Sequence, residues 1–401
     1  MKRLAWLVVA ACGDPAPVTP DAPAEETVTV TLQAHLKGPS ITSDARVGVD
    51  AALSADGATL ALLGRDGLGV HIYTRTGQTW TEEPPVAPAD PALGYASALA
   101  LSADGSTLAV GAEDAGGGLV YVFSRSGTTW SETAQLRGSV SSISDFFGSV
   151  LALSHDGSIL AVGAPGYGDA QQQTFKGAVF VFRRTGTTWT QAPFLEGARD
   201  TEYFGQALAL DASGDLLAVS TPCSAAPGAV NMFGRAGDAW QPQASITVTE
   251  GLLCDFAESI ALTPDGNTLV AGASQPLPPM GTEHRPGEAW VFARTGSSWT
   301  ERAALHASNP GPSARFGFHV ASSADGTFVV VGAIGAGSGY VLHEHDGAWT
   351  EVAMLAPEPG DLPSLFGYRV LASEDARTLV VTAPGEGDGY RGGAYVFSTS
   401  R

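Results

Sequence analysis

The chain has 401 residues, with 50 Gly and 25 Pro, and only 15% of its residues are charged. Many short strands joined by frequent turns use residues in this way, and a helical protein does not. The formal net charge of −20 argues against nucleic acid as a partner, because an acidic surface repels phosphate backbones. No apolar run reaches the roughly 18 residues of a transmembrane helix, so we expect no membrane span.

The first eleven residues, MKRLAWLVVAA, have the basic start and short apolar core of a secretory signal peptide. The stretch VAAC, which ends at Cys12, resembles the lipobox of bacterial lipoproteins, in which a signal peptidase cleaves before a cysteine that carries diacylglycerol. The resemblance implies that residues 1–11 are a signal peptide and that Cys12 is lipidated. The alternatives are an ordinary cleaved signal, or a chance apolar start with an incidental Cys.

Residues 13–27 are rich in Pro, Ala, Asp and Glu and have no hydrophobic periodicity. Such a stretch cannot bury a core, so we expect it to stay extended and solvated. Residues 12–27 are therefore predicted to form a lipidated tether that holds a folded domain, residues 28–401, off a membrane. This predicts an exported protein of the bacterial cell envelope, held at the outer membrane or cell surface by lipid alone.

The remaining chain is built from one repeated unit. A turn segment typified by LSADGSTL recurs seven times, and its Asp position falls at residues 56, 104, 156, 213, 265, 325 and 375. A Trp that follows a second turn recurs six times, as Trp80, Trp130, Trp189, Trp240, Trp299 and Trp349. Two independent markers that share one irregular period indicate structural repeats.

Each repeat predicts four antiparallel strands. In the clearest copy, residues 147–189, an apolar alternation turns at Asp156-Gly157, and an aromatic strand then leads through another short turn to Trp189. Four strands about every 50 residues, repeated seven times, predict an all-β fold, a seven-bladed β-propeller.

The two ends of the repeat array predict how the ring closes. The last repeat stops after its third strand, and residues 28–40 match the fourth-strand segments of the other repeats. Pairing them would remove two exposed strand edges. The N-terminal strand is therefore predicted to be the outermost strand of the seventh blade.

The clearest repeat opens on Phe147-Gly148 and ends its second strand on Gly163-Ala164-Pro165. These motifs resemble the FG-GAP repeat, which is familiar from the integrin α-subunit propeller and many bacterial surface proteins. The resemblance implies a propeller over residues 28–401, and one such fold hosts many functions. In physical terms, the Phe can wedge between blades, the Gly permits close strand approach and the Pro ends a ladder.

Integrin-type repeats often carry a D-x-D-x-D-G calcium loop, and calcium needs about six to eight oxygen ligands. Most turns here keep only the final Asp, and the nearest approach is Asp211, Ser213 and Asp215 in the fourth repeat. We interpret the turn aspartates as turn caps and predict no cofactor or metal, with calcium as the alternative. His343 and His345 share one strand face but have no evident third ligand.

The loops are the predicted place of function. Blade connections and the loops between strands two and three are long and variable, and both fall on one face of a propeller, where binding residues concentrate. The long loops of repeats three and five contain the candidate binding residues Tyr167, Asp169, Lys176, Met280, Glu283, His284 and Arg285.

These features favour a monomeric, non-enzymatic module that binds protein or glycan at the cell envelope. The sequence contains no G-x-S-x-G, H-E-x-x-H or Walker motif, and the first strands of the repeats are mostly apolar. Two alternatives stay open. One is a polysaccharide hydrolase or lyase with its site at the axis of the long-loop face, and the other is a structural subunit of an envelope assembly.

Cys223 lies in the long loop of the fourth repeat, and Cys254 lies in the connection to the fifth. Since both loop classes emerge on the same face, we predict a disulfide between them, with two buried unpaired thiols as the alternative. Mass spectrometry of untreated protein should find neither thiol free, and detection of two free thiols would reject the pairing.

Overall fold

The computed structural model describes residues 28–37, 44–65, 69–88, 96–140, 142, 145–169, 174–199, 203–222, 228–248, 255–274, 286–309, 311, 313–357, 365–387 and 390–400. Strands are the dominant regular structure in these ranges, which contain no α-helix. The described residues accordingly include no helix that is long and apolar enough to cross a membrane.

Seven antiparallel sheets form the blades of a propeller, as predicted. The chain starts with β1 (Thr29–Lys37), and blade 1 follows with β2 (Asp50–Leu53), β3 (Thr59–Leu63), β4 (Val70–Thr76) and β5 (Thr79–Glu82). Blade 2 contains β6 (Ala98–Leu101), β7 (Thr107–Ala112), β8 (Leu119–Ser126) and β9 (Thr129–Leu136). Blade 3 contains β10 (Val150–Leu153), β11 (Ile159–Ala164), β14 (Ala178–Thr185) and β15 (Thr188–Gln191). Its long loop forms a hairpin of β12 (Gly168–Asp169) and β13 (Thr174–Phe175), and β16 (Leu195–Glu196) also pairs with β14.

The other blades repeat the plan. Blade 4 contains β17 (Leu208–Leu210), β18 (Leu216–Thr221), β19 (Ala229–Ala236) and β20 (Ala239–Ile246). Blade 5 contains β21 (Ser259–Leu262), β22 (Thr268–Ala273), β23 (Glu288–Thr295) and β24 (Ser298–Leu305). Blade 6 contains β25 (Phe316–Ser322), β26 (Phe328–Ala333), β27 (Ser338–His345) and β28 (Ala348–Leu355). Blade 7 contains β29 (Val370–Ala372), β30 (Thr378–Thr382) and β31 (Gly393–Ser400), followed in space by β1.

The first and last strands close the ring. β1 pairs antiparallel with β31, from Thr29 opposite Ser400 to Lys37 opposite Gly393. The sheet order is β1-β31-β30-β29, so the N-terminal strand is the outermost strand of blade 7. The predicted closure is confirmed.

The core lies between the blades. Each of seven hydrophobic clusters joins residues of two neighbouring blades. The Phe of each Phe-Gly motif enters the cluster shared with the preceding blade. Phe147, for example, is fully buried among blade 2 and blade 3 residues and meets Phe180 edge to face at 5.3 Å. The predicted wedge between blades is confirmed.

The six repeated Trp side chains pack on the same inter-blade clusters from the outer strand. A cross-strand Arg covers the ring in several blades, as where the guanidinium of Arg125 lies 5.7 Å from the ring centroid of Trp130. Such contacts add cation–π attraction to the packing. These Trp residues therefore serve packing between sheet faces, as interpreted from the sequence.

The glycines of the two repeat motifs meet across the blade boundary. A Cβ atom on Gly111 of blade 2 would overlap the carbonyl oxygen of Gly148 in blade 3, and Gly163, Gly272 and Gly332 face the next blade in the same way. Gly148 also adopts φ 95°, which favours glycine, and donates its N–H to Gly163 of its own blade at 3.0 Å. One turn thus locks two blades together.

The turns between first and second strands are organised by their Ser and Asp side chains. Ser154 Oγ donates to Asp156 Oδ1 at 2.7 Å, and both oxygens accept backbone N–H groups of the turn. In blade 4 the roles are exchanged, because Ser213 donates to Asp211, which accepts the N–H of Asp215. The interpretation of these aspartates as turn caps is confirmed.

The same seven turns also bond to one another around the axis. One residue of each turn, such as Ala55 in blade 1, occupies the same position in every blade. In six of the seven blades its N–H donates to the carbonyl of the equivalent residue in the next blade, at 2.8–3.2 Å. The residues are Ala55, Ala103, His155, Ala212, Pro264, Ala324 and Glu374. The seventh bond is missing because Pro264 has no N–H.

The propeller has two distinct faces. The turn face carries this ring of short turns, and the loop face carries the strand two to three loops and the blade connections. Backbone bridges such as Gly177 to Phe204 and Gly287 to Phe316 join a strand two to three loop to the following blade connection. Both long loop classes therefore share one face, as predicted.

The glycine contact predicts a specific effect on stability. Gly111→Ala should lower the free energy of unfolding by about 1–3 kcal/mol or more, because the new methyl group meets a backbone carbonyl that cannot move alone. Gly311→Ala is the matched control, since its Cβ would meet nothing within 4 Å. Thermal unfolding followed by circular dichroism checks both, and equal melting temperatures would contradict the proposed lock.

Candidate binding face and axial site

The long-loop residues predicted to bind are mostly engaged in packing where the structure describes them. Tyr167 packs edge to face on Phe194, with ring centroids 5.5 Å apart. Lys176 Nζ pairs with Glu196 at 3.0 Å, and Asp169 lies exposed at the end of β12. The other predicted binding residues, Met280, Glu283, His284 and Arg285, lie outside the described residues, as do the three cysteines Cys12, Cys223 and Cys254.

A crown of left-handed residues stands on the loop face. The residue before each Phe-Gly motif, or its equivalent, has φ between 45° and 73° wherever the structure describes it. The crown consists of Arg46, Phe146, Tyr203, Asp255, Arg315 and Leu365. Bulky residues rarely adopt this conformation, and backbone strain of this kind collects at functional sites.

Exposed apolar groups concentrate on the same face. Among described residues, six large hydrophobic side chains are exposed, and Phe146, Tyr203 and Leu365 of the crown are 44%, 39% and 40% exposed. Val140 and Tyr390 also lie in loop-face segments, so Met354 on β28 is the one elsewhere. Exposed apolar patches mark interaction surfaces.

The candidate long loop of blade 3 joins this crown. Phe175 of β13 stacks on Tyr203, with ring centroids 5.6 Å apart and planes at 15°. The Tyr203 N–H also donates to the Phe175 carbonyl at 3.1 Å. The loop in which the sequence predicted binding residues therefore contacts a residue of the crown, Tyr203.

A polar arc lies on the innermost strands of four consecutive blades. It consists of Ser259, His319, Arg369 and Asp50, each at the position two residues after the Phe-Gly glycine or its equivalent. The same position in blades 2, 3 and 4 holds Ala98, Val150 and Ala207. Sequence analysis missed the arc, although comparing this one position across the aligned repeats would have found it.

The arc residues join neighbouring blades at the unpaired edges of the inner strands. Asp50 accepts the N–H of Leu99 at 2.7 Å and Nε of Arg369 at 2.8 Å. Ser259 Oγ accepts the N–H of Val320 at 3.0 Å. Around the axis, therefore, polar side chains cap the edges of the inner strands in blades 5, 6, 7 and 1, and apolar side chains occupy the same position in blades 2, 3 and 4.

His319 continues the same pattern of contacts. Its Nδ1 accepts the N–H of Val370, the residue after Arg369, at 3.4 Å. Burial and the nearby Arg369 charge together hold the pKa of His319 well below its usual 6.5. The imidazole is therefore neutral at pH 7.

Charged groups of blades 5 and 6 border the arc. Burial raises the pKa of Glu258, and the neighbouring Asp255 charge adds to this effect. Burial also raises the pKa of Asp255. Arg315 lies 4.0 Å from Glu258 and 4.8 Å from the ring centroid of Phe318. Neighbouring carboxyl groups with raised pKa values occur both at functional sites and in structural ion-pair networks.

Three other histidines contact neighbouring side chains. His155 Nε2 lies 3.4 Å from Glu374 Oε1, so blades 3 and 7 meet there across the ring of turns. His343 is buried against Phe328, with ring centroids 4.1 Å apart, and His345 is paired with Asp346. Within the described residues, no three His, Cys, Asp or Glu side chains form a group that could hold a metal.

The fold defines the class of the protein as a seven-bladed β-propeller. The family model for the FG-GAP repeat matches residues 130–182 and 299–342, so the repeat is present in the parts that include blades 3 and 6. The resemblance to integrin-type repeats and the resemblance to bacterial lipoproteins are supported by the sequence alone.

Two solved structures are similar to the chain in fold. A chain from the crystal structure of a mitotic checkpoint complex has a TM-score of 0.61 at 14% identity, covering 98% of this chain and 99% of its own. A chain of Kuenenia stuttgartiensis hydrazine synthase has a TM-score of 0.60 at 15% identity, covering 87% and 96%. No curated protein matches in sequence. At these identities the likeness shows the fold alone.

The raised pKa of Glu258 predicts a pH-dependent effect on stability. The folded state favours the protonated acid, so ionised Glu258 destabilises the fold at pH 7, and this effect disappears as the pH falls below the ordinary value of 4.5. Glu258→Gln should raise the melting temperature by about 1–2 °C at pH 7 and leave it unchanged near pH 4. Glu301→Gln on β24 is the exposed control, and an equal rise for both variants would contradict the assignment.

Proposed function

We propose that the protein is an exported, lipid-anchored β-propeller that acts as a non-enzymatic binding module at the cell envelope, with the loop face as its binding surface. The observation that supports this most is the crown, in which Phe146, Tyr203 and Leu365 are exposed from left-handed backbone. Each such residue costs about 1–3 kcal/mol, and all three place large apolar groups in solvent. A partner that covers them would remove this apolar surface from water, which favours association.

The direction of β1 supports the assignment of the two faces. Thr29 pairs with Ser400 at the end of β31, where Thr399 donates to the carbonyl of Ala376 in a turn-face turn. The chain before Thr29 therefore leaves from the turn face. A lipid at Cys12 would hold that face toward the membrane and leave the loop face toward the surroundings.

The length of the tether is compatible with that orientation. Residues 12–27 would span at most about 55 Å when fully extended. The propeller could then stand clear of lipid headgroups, with its crown directed away from them.

A protein partner fits the loop face better than a glycan does. Interfaces between proteins are enriched in aromatic residues and Arg, and these residue types carry most of the binding energy. The crown combines Phe146 and Tyr203 with Arg46 and Arg315, and Tyr390 lies under the Arg46 guanidinium at 5.6 Å. Aromatic and cationic side chains therefore lie on the same face.

A pull-down from envelope extract, run beside a glycan array, tests this function. The bait is residues 28–401, which retain every strand of the ring. The combined variant Phe146→Ser, Tyr203→Ser and Leu365→Ser should lose at least about tenfold of the captured partner, because exposed aromatic anchors dominate binding. Capture is compared at a temperature at which both proteins are folded, because the change at Tyr203 also removes its stacking contact with Phe175.

The control is Met354→Ser, which removes an exposed apolar side chain from the outer strand β28. It should capture the partner as the parent chain does. Capture by all three proteins alike would contradict the assignment of the loop face. Turnover of a polysaccharide by the 28–401 fragment would replace the binding module with the hydrolase or lyase.

A further inference from the structure

We propose that the polar arc formed by Ser259, His319, Arg369 and Asp50 is a carboxylate-binding site, which takes an Asp or Glu side chain of a protein partner at the axis of the loop face. This rests on the proposed function, in which a protein covers that face. The site lies at one position of the repeat that varies along the chain while its neighbours are kept for packing.

Arg369 supplies the charge and the geometry. Its Nε is bonded to Asp50 at 2.8 Å, and its side chain remains 31% exposed. The two terminal nitrogens of a guanidinium present parallel N–H groups that match the two oxygens of a carboxylate. Asp50 and the ring of Tyr368, 5.7 Å from the guanidinium carbon, hold that fork in place.

His319 and Ser259 add neutral donors beside it. Because Nδ1 of His319 accepts the Val370 N–H, the neutral ring carries its proton on Nε2. Ser259 Oγ accepts the Val320 N–H, which leaves its hydroxyl hydrogen for another acceptor. The arc therefore offers three kinds of hydrogen-bond donor from three consecutive blades.

Charges near the arc are mixed, since Arg369 and Arg315 lie beside Asp50, Asp255 and Glu258, so a carboxylate would be held by direct hydrogen bonds and not by a net positive charge. The Asp50 carboxylate is already satisfied by Leu99 and Arg369, so it neither needs nor attracts a cation of its own. The chain as a whole has a formal charge of −20, which repels polyanions at long range. A single carboxylate on a partner that is otherwise held by the crown satisfies both conditions.

Aromatic rings at the edge of the arc favour a side chain over a free ion. Phe318 and Tyr368 are in contact, with centroids 5.4 Å apart, and Arg315 lies over Phe318 at 4.8 Å. The methylene groups of an Asp or Glu side chain can pack on these rings while the carboxylate reaches Arg369. Such a contact is charge-assisted and local, so the affinity of a short peptide is in about the millimolar range.

NMR of the 28–401 fragment with ¹³C-labelled histidine tests the proposal. The probe is acetyl-Gly-Asp-Gly-amide, and acetyl-Gly-Asn-Gly-amide is its neutral match. The Asp peptide should shift the His319 signal, which is identified by its loss in His319→Gln, and should raise the pKa of His319 because a bound carboxylate offsets Arg369. The Asn peptide should do neither.

Arg369→Gln should weaken the response to the Asp peptide by about tenfold or more, since the charged fork is lost. Arg377→Gln, on the turn face and 80% exposed, removes the same charge elsewhere and should leave the response unchanged. If the Arg369→Gln variant unfolds because Asp50 loses its partner, the double variant Asp50→Asn, Arg369→Gln is used in its place, since it leaves no unpaired charge.

An absent His319 response to both peptides would show that the arc only caps strand edges, and would overturn the site. An equal response to both peptides, or one that survives loss of Arg369, would also overturn it. The proposed function is judged separately, by partner capture in the crown variant. A peptide response with unaltered capture in that variant would keep the carboxylate site and remove the crown.

Discussion

The structure depends on one close backbone contact, between the Phe-Gly turn that opens a blade and the second strand of the blade before it. At Gly148 the carbonyl lies against Gly111 with no room for a side chain, and the N–H bonds to Gly163 within the blade. Every such turn joins two blades, and the joints form a closed ring because β1 pairs with β31. The second-strand glycine is replaced in three blades. After Leu63 and Ser220 the next turn holds Ala in place of its Gly, whereas Thr382 faces a turn that keeps Gly48, where an added Cβ would meet the Thr382 side chain.

This contact separates packing from function along the repeat. The Phe, the two glycines, the turn Asp and the Trp are all used between or within blades. The residue before the Phe and the residue two after the Gly flank the joint. The carbonyl of the first accepts a hydrogen bond within the turn, as Phe146 does from Ser149, and polar side chains at the second bond to the next blade, as Asp50 does to Leu99. These are the positions that vary from blade to blade, and they place the crown around the loop face and the polar arc at its axis.

The sequence predicted the fold well because its markers are positions that packing constrains. Seven turns, six Trp and the unmatched strand at residues 28–40 predicted blade number, strand order and ring closure, and all three are confirmed. The candidate binding residues remain predictions. Attention to loop length selected Tyr167 and Lys176, which pack on Phe194 and Glu196. The arc was missed because Asp50, Ser259, His319 and Arg369 are far apart in sequence, and only the register of the inner strands brings them into one row.

The proposed function gives the two faces different roles, since β1 begins at the turn face and five of the six exposed large hydrophobic side chains among the described residues lie on the loop face. A photo-crosslinking phenylalanine analogue placed in cells at Leu365 on the loop face, or at Arg377 on the turn face, tests this most directly. Leu365 is 40% exposed, and the side chain of Arg377 is 80% exposed. The account predicts a discrete cross-linked partner from position 365 and none from position 377. Cross-linking from position 377 alone would contradict it.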